Sequence, residues 1–334
     1  MHLSAHIPLD GPNEKILSLA RLADSLGFQS VNCGHIASRD SFTTLGAIAV
    51  QTRHVALGTS VAPIYTRTPA SMAQSAATVD DLSGGRFRLG LGVGHRVTMG
   101  DWHGQRIGRP TAEMREYVSI VRAILAGQQA PAGERWSSTF ALTGFRRRAD
   151  LPIHLAGLSP AMLRLAGEIA DGVVLWSTPP EYIRDVVLPE VAAGRAQAGR
   201  SLDGFAVQAV VASACGGERA AVLEGARMAL HRYLGLPFYR AMFAAAGFSA
   251  QIEAYEATSN REAQKAAIGE DFIETLCLLG GEDDLLDGIR RYEQAGTTEL
   301  LLASVPGTDL EPVLRAAGRA ITNDGAAGSV AEAV

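Results

Sequence analysis

Hydrophobic residues along the chain fall into short runs that alternate with longer amphipathic stretches. Eight of the runs are predicted as strands: His2–Pro8, Gln29–Asn32, Val55–Thr59, Phe87–Gly92, Pro152–Ala156, Gly172–Trp176, Phe205–Ala212 and Thr298–Ala303. The run Phe205–Ala212 is almost free of polar residues, which is typical of a strand buried on both faces. Alternation of this kind indicates parallel strands joined by crossover helices.

The eight strand and helix pairs predict one (β/α)₈ barrel, a TIM barrel, over residues 1–322, because no change of composition marks a domain boundary. A doubly wound open sheet is the alternative, since alternation alone does not show whether a sheet closes. Residues 218–280 read as helical throughout, which is too long for one crossover and predicts a helical insertion. Residues 323–334 are small and polar and predict a disordered tail.

Two element boundaries carry clear local signals. Pro69 precedes an amphipathic stretch and predicts a helix over Pro69–Leu82, because the first helical position tolerates proline. The sequence Ser83-Gly84-Gly85 then predicts the turn into the strand that starts at Phe87.

Composition excludes several classes of protein. The chain has 334 residues with 47% hydrophobic and 19% charged, as in a folded globular protein. A net charge of −5, with no basic cluster denser than Arg146-Arg147-Arg148, argues against nucleic-acid binding. Three distant cysteines fit reduced thiols, and neither a leader pattern nor a long apolar run is visible, so we expect a cytoplasmic protein that does not bind membranes.

Ligands of a closed barrel lie at the carboxyl ends of its strands, so residues directly after each run are the informative ones. Gly34 and His35 follow the second strand, and imidazole can serve either as proton donor or acceptor there, although a surface loop is the simpler reading. Small residues over Gly58–Pro63 would let a flat ring lie against the backbone, but small residues also make turns.

Two further glycine-containing segments could contact a ligand. Gly90–His95 resembles a dinucleotide fingerprint but fails it, because Val97 stands where the third glycine is required. The turn Gly157-Leu158-Ser159 opens a helix whose free N–H groups would suit a phosphate, although from these residues alone an ordinary helix cap is the better explanation.

Other catalytic motifs are absent or weak. His95, Asp101 and His103 have no metal-ligand spacing of a known kind, so no metal is expected. Neither a phosphate-binding G-x-x-x-x-G-K-[ST] loop nor a G-x-S-x-G elbow occurs, which removes the usual support for kinase and hydrolase functions.

The order of these segments resembles the luciferase-like flavin and deazaflavin oxidoreductases. The segments that carry the resemblance are 56–69, Ala73-Gln74, 82–92, Arg109-Pro110, 114–117, 159–167 and 170–172. Gly94-His95 and the segment 236–242 look most like the branch that uses the deazaflavin coenzyme F420.

The resemblance implies a cofactor ring near the third strand, beside a non-proline cis peptide at Ser60-Val61, and a phosphate at the turn after residue 156. The cofactor-binding residues that it implies are Gly34, Ser60, Val61, Ala62, Gly92, Val93, Gly94, Gly157, Leu158 and Ser159. His35 matches a catalytic histidine of the related sugar-phosphate dehydrogenases, but Gly34 replaces the preceding aspartate and His95 replaces an acid. The sugar-phosphate reaction is therefore not expected.

The implied function is hydride transfer between coenzyme F420 and a small organic substrate, with the cofactor supplying the reactive atom. His95 or His35 would handle the accompanying proton, and Tyr65, Trp102 and His103 would line the substrate site. The alternatives are an FMN-dependent monooxygenase of the same fold and a flavin- or deazaflavin-binding protein without turnover. A small molecule is the expected partner, and a homodimer is the assembly left open.

Overall fold

Eight parallel strands close into a barrel in this computed structural model, which describes residues 1–144 and 148–331, with 322–331 as backbone only. The strands of the described chain are β1 His2–His6, β2 Ser30–Cys33, β3 Ala56–Thr59, β4 Ala62–Pro63, β5 Phe87–Gly92, β6 Ile153–Ala156, β7 Gly172–Trp176, β8 Ala206–Cys215, β9 Cys277–Gly280 and β10 Glu299–Ser304. The barrel order is β1, β2, β3, β5, β6, β7, β8, β10. Glu299 of β10 lies opposite both Gln208 and His2, so the sheet is closed and the predicted TIM barrel is confirmed.

Helices cover the outside of the barrel. They are α1 Asn13–Ser25, α2 Ser41–Ala49, α3 Pro69–Leu82, α4 Pro110–Ala126, α5 Pro160–Ile169, α6 Pro180–Tyr182, α7 Leu188–Gln197, α8 Arg219–Leu234, α9 Pro237–Phe243, α10 Ser249–Glu256, α11 Arg261–Ala266, α12 Glu270–Leu276, α13 Glu282–Gln294 and α14 Glu311–Ala331. Short π-helical turns occupy Thr98–Trp102, Ile183–Val187 and Ala244–Phe248. Within the described part of the chain, every helix is too short or too polar to cross a membrane.

The amino-terminal end of the barrel interior is filled by polar groups that bond to one another. The Glu299 carboxylate accepts hydrogen bonds from the hydroxyls of Ser4 and Ser30, both at 2.6 Å, and from the Gln208 amide at 2.8 Å. Arg88 donates to the same carboxylate at 2.7 Å. Burial alone would raise the pKa of Glu299, but Arg88 and these donors outweigh it and the pKa lies below its usual value. A charged group is thus held inside the barrel because all its partners are present.

An apolar layer follows toward the carboxyl ends of the strands. Its members come from three neighbouring strands: Val174 of β7, Val210 of β8, and Leu301 and Ala303 of β10, with Val61 and Trp176 packed against them. On these strands, aliphatic side chains follow the polar residues Gln208 and Glu299 toward the barrel mouth.

The insertion predicted over residues 218–280 is mainly helical and runs from α8 to α12, but the expectation that it contains no strand is wrong. Its last four residues form β9, in which Cys277 lies opposite Ala212 and Gly280 lies opposite Cys215 of β8. The apolar run before Gly280 pairs there because β7 pairs with β8 only as far as Val210 and leaves the backbone groups of the last residues of β8 free on that side.

The carboxyl end of the chain differs from the predicted tail over 323–334. Helix α14 continues to Ala331, and the remaining three residues lie outside the described part. Alanines in this segment favour the helix. Of the basic cluster, Arg148 pairs with Asp80 at 2.5 Å, whereas Arg146 and Arg147 also lie outside the described residues.

Candidate active site

The barrel mouth contains a break between β3 and β4 that two glycines of β5 accommodate. A cis peptide joins Ser60 to Val61 at this break, as the family resemblance implies. A Cβ atom on Gly90 would lie 1.9 Å from the Thr59 carbonyl oxygen, and one on Gly92 would lie 2.6 Å from the Val61 side chain. The glycine pattern of β5 is therefore required by packing against this break, which explains why it departs from a dinucleotide motif.

Ser60 is the first polar group of the mouth. Its side chain is 8% exposed, and within the described residues its hydroxyl has no hydrogen-bond partner. A buried hydroxyl without a partner costs free energy, so this position favours a bound ligand that completes the hydrogen bond.

His35 lies at the carboxyl end of β2 and is held between three polar side chains. Its Nδ1 atom lies 3.0 Å from the Ser41 hydroxyl, and its Nε2 atom lies 3.2 Å from Nη1 of Arg67. Arg67 also pairs with Asp40, whose carboxylate is 3.8 Å from Nδ1 of His35. The carboxylate that Gly34 cannot supply thus comes from Asp40, six residues later in the chain.

This arrangement disfavours the protonated form of His35. A guanidinium and a backbone N–H can only donate, and they lie at both ring nitrogens: Arg67 at Nε2, and the Ser41 N–H at 3.3 Å from Nδ1. Burial lowers the pKa of His35, and the positive charge of Arg67 lowers it further, while Asp40 acts in the opposite direction. His35 is therefore neutral at pH 7, with a donor at each ring nitrogen.

Replacing Arg67 with methionine should release the Nε2 atom of His35. We expect the pKa of His35 to rise, because a cation is removed while the Asp40 carboxylate remains close. The measurement is the titration of the His35 Cε1 proton by NMR, with Arg96→Met as a control, since Arg96 bonds to the Ile107 carbonyl instead. An unchanged or lower His35 pKa in the Arg67→Met variant would show that Arg67 does not set its protonation.

His95 lies just beyond β5 and has a different environment. It is half-buried, and its ring packs against Tyr239 of helix α9 with centroids 6.1 Å apart. Burial lowers the pKa of His95, and no charged neighbour contributes to the shift. Gly94 before it has a φ of +65°, which lets the chain turn back over Met99. Of the two predicted histidines, His95 is the one whose ring is not held by a cation.

The turn at Gly157-Leu158-Ser159 opens helix α5 toward the mouth. The Ser159 hydroxyl caps the helix by accepting from the Met162 N–H, and the Tyr182 hydroxyl donates to the Leu158 carbonyl at 2.8 Å. The turn is thereby held in place from both sides. The backbone N–H groups of a helix start provide positive potential that suits an anion.

Three residues of the predicted cofactor site remain, and two of them occupy ordinary positions next to the break. Ala62 lies in β4 and pairs with Leu91, and Val93 is half-buried against the hydrophobic core. Gly34, the third, leaves space beside His6, since a Cβ atom there would stand 3.6 Å from the His6 Nε2 atom.

The three residues predicted for the substrate site have different environments. Tyr65 is 6% exposed, and its hydroxyl donates to Glu113 at 2.5 Å while its ring packs near Trp136. The Tyr65 hydroxyl therefore forms its hydrogen bond within the protein. Trp102 is 58% exposed on the loop after β5, and His103, next to it, is close enough to lower the pKa of His35.

A row of five rings crosses the mouth and was not predicted. The rings are those of His95, Tyr239, Tyr233, Trp176 and His6, with successive centroid distances of 6.1, 4.8, 5.9 and 5.1 Å. Tyr233 and Tyr239 belong to the helical insertion, whereas the other three belong to barrel strands or their ends. The insertion therefore supplies one wall of the site. His6 and Trp176 could have been found in the sequence from their position at the ends of β1 and β7.

Comparison with known proteins identifies relatives of this chain. The family model described as luciferase-like monooxygenase matches residues 2–299. The chain is 36% identical to the 5,10-methylenetetrahydromethanopterin reductase of Methanolobus tindarius, over 58% of this chain and 59% of that one. It is 28% identical to the corresponding Archaeoglobus fulgidus reductase, over 90% and 92% of the two chains.

A solved structure shares the fold over nearly the whole chain. The coenzyme F420 dependent tetrahydromethanopterin reductase from Methanopyrus kandleri superposes with a TM-score of 0.79 and 24% identity, covering 95% of this chain and 97% of that one. The barrel with its insertion is therefore an architecture shared between these proteins.

Proposed function

This chain belongs to the luciferase-like monooxygenase family, and we propose that it transfers a hydride between coenzyme F420 and a small organic substrate. The relatives are named as reductases, and the structural relative is named as dependent on coenzyme F420. The observation that carries the proposal is the partnerless Ser60 hydroxyl beside the β3–β4 break, flanked by glycine positions at the mouth.

The residues at the mouth fit a deazaflavin with a phosphate-bearing chain. Ser60, Val61 and the open space at Gly34 would hold the ring, and the start of α5 at Gly157-Leu158-Ser159 would hold the phosphate. When bound, the deazaflavin supplies a carbon centre that passes hydride and reacts poorly with oxygen. The protein orients this centre and supplies the proton.

His95 is the proton-transfer group that the geometry favours. Its ring lies at the carboxyl end of a barrel strand, is half-buried and contacts only another ring among the interactions of the described residues. His35, in contrast, has its Nε2 atom occupied by Arg67 and its Nδ1 atom directed to Ser41. General acid–base catalysis requires a nitrogen within reach of the substrate, which favours His95.

Titration of the purified protein with coenzyme F420 and with FMN tests the cofactor. We expect F420 to bind with a dissociation constant in the micromolar range or below, corresponding to about −8 kcal/mol or better. Ser60→Ala, which removes the partnerless hydroxyl without filling the site, should weaken F420 binding by about three- to tenfold. Tighter binding of FMN than of F420 would contradict the assignment to the F420 branch.

An FMN-dependent monooxygenase is the second candidate, because the family as a whole is described by that reaction. The distinction is made by oxygen consumption with reduced FMN, which the monooxygenase requires and an F420 oxidoreductase does not. F420 binding without turnover of any carbonyl or alcohol substrate would instead support a cofactor-binding protein without catalytic activity.

Cellular location and assembly are part of the proposal. We propose a cytoplasmic protein, and the three cysteines, which are free in the structure, fit a reducing compartment. A homodimer is the proposed assembly, for which light scattering of the purified protein is the direct test.

A further inference from the structure

The described side chains contain four buried polar atoms without a hydrogen-bond partner, and three of them lie at the barrel mouth. These three are His6 Nε2 at the end of β1, Ser60 Oγ after β3 and Trp176 Nε1 at the end of β7; the fourth is Thr297 Oγ1 before β10. Buried polar atoms are rarely left unpaired in folded proteins. Three together at the ligand-binding end indicate groups that a ligand completes.

His6 and Trp176 form a pair across the barrel. Their ring centroids are 5.1 Å apart at an interplanar angle of 66°, although strands β8 and β10 separate β1 from β7 in the barrel. The Ser60 backbone is close enough to His6 to oppose part of the lowering of its pKa, but the geometry leaves Nε2 without a hydrogen-bond partner. Neither ring is used by the proton-transfer scheme above.

The surroundings of this pair are apolar and aromatic. Trp176 packs on Tyr233 of the insertion at 5.9 Å and covers the valine and leucine layer inside the barrel. An indole N–H can only donate, so the group that pairs with Trp176 must be an acceptor. A molecule with one acceptor on an apolar or aromatic body fits both observations.

The ionisable groups beside His6 and His35 are neutral or paired, which disfavours an anionic substrate there. Burial lowers the pKa of His6 to about 4, so this ring is neutral at pH 7. Arg67, beside His35, is paired with Asp40. The two lysines of the chain form ion pairs elsewhere, Lys15 with Asp309 and Lys265 with Glu224.

We propose that His6 Nε2 and Trp176 Nε1 form a two-point hydrogen-bonding site for the substrate, which is an uncharged, largely apolar molecule carrying a carbonyl or hydroxyl oxygen. This inference rests on the proposed function, since it assigns the substrate class of the same mouth. It adds two substrate-binding residues and distinguishes this site from one that recognises phosphorylated sugars or carboxylates.

Acetophenone is the probe, and the indole N–H resonances of ¹⁵N-labelled, cofactor-free protein are the readout. The chain has three tryptophans, so Trp176→Phe assigns the Trp176 resonance and Trp136 serves as the internal reference. Acetophenone should shift the Trp176 resonance downfield in a saturable way. 4-Acetylbenzoate, its anionic analogue, should bind at least tenfold more weakly, because Arg67 is already paired with Asp40 and both lysines form ion pairs elsewhere, so these cations do not compensate its desolvation.

His6→Phe and Thr297→Val form a matched pair of variants. Each replaces a partnerless buried polar atom by an apolar group, so both should stay folded with an unchanged or higher melting temperature. Only His6→Phe should weaken acetophenone binding, by about three- to tenfold for one lost hydrogen bond. If His6→Phe does not fold, Gly34→Ala replaces it, since its methyl group would stand 3.6 Å from Nε2.

Three results would overturn the site: an unmoved Trp176 resonance up to the solubility limit of acetophenone, equal binding of the anionic analogue, or equal weakening in Thr297→Val. Coenzyme F420 is titrated separately. Failure of F420 to bind would contradict the proposed function, whereas the acetophenone result in cofactor-free protein would stand independently of it.

Discussion

Replacement of His95 with alanine is expected to lower substrate turnover by about 10²–10⁴-fold, the usual range for loss of a general acid–base group. Affinity for coenzyme F420 should change little, because the proposed ring contacts come from Ser60 and Val61 at the break and not from the His95 side chain. An interaction made only in the transition state lowers kcat and kcat/KM equally, so both are measured with saturating cofactor. If affinity falls and kcat survives, His95 packs against the cofactor and does not transfer the proton.

The pH dependence of the two reaction directions provides a second readout for His95. Burial lowers the pKa of His95 from its usual 6.5, so the imidazole is neutral at pH 7 and able to accept a proton. Substrate oxidation should therefore proceed at pH 7 and decline as the pH falls through this pKa. Substrate reduction needs the imidazolium and should become faster over the same interval. Both of these pH-dependent changes in rate should be absent in His95→Ala.

His35→Ala is the matched histidine control. It removes an imidazole from the same mouth, but one whose Nε2 atom is bound to Arg67. We expect a smaller loss of turnover than in His95→Ala, since this nitrogen is not available to the substrate. A larger loss would reverse the two assignments and would indicate that Arg67 moves away when substrate binds.

Local signals were sufficient to predict the barrel. Helix α3 has the predicted bounds Pro69–Leu82, because Thr68 caps it and Pro69 starts it, and the turn Ser83-Gly84-Gly85 ends it. Strand β5 likewise has its predicted bounds, Phe87–Gly92. In both cases, the residues that set the boundary are adjacent to it in the sequence.

The structural features that could not be predicted depend on distant residues. Strand β9 is only four residues long and lies between two helices, so its identity depends on the free edge of β8. Arg67 reaches His35 across 32 residues, and His6 reaches Trp176 across the barrel. No spacing rule connects such pairs, since they meet only when the sheet closes.

Replacement of Gly157 with aspartate is expected to weaken F420 binding by at least about 10²-fold, since a carboxylate placed at the start of helix α5 repels the phosphate and competes for the same N–H groups. A Cβ atom on Gly157 would lie 3.3 Å from the Leu163 side chain and 3.4 Å from that of Met162, so a small adjustment accommodates it. The free protein should remain folded and gain about 0.3–1 kcal/mol of stability, because the new charge favours the helix start.

Gly157→Asp should thus weaken F420 binding while stabilising the free protein. The variant Gly157→Asn separates the effect of charge from the effect of side-chain size. Asparagine has nearly the volume of aspartate without its charge, so Gly157→Asn should retain most of the F420 affinity that Gly157→Asp loses. Fluorescence titration with F420 and thermal unfolding of the free variants provide the measurements. Equal weakening by both substitutions would mean that Gly157 is needed for space alone. Unchanged affinity in a folded Gly157→Asp variant would place the phosphate elsewhere in the mouth.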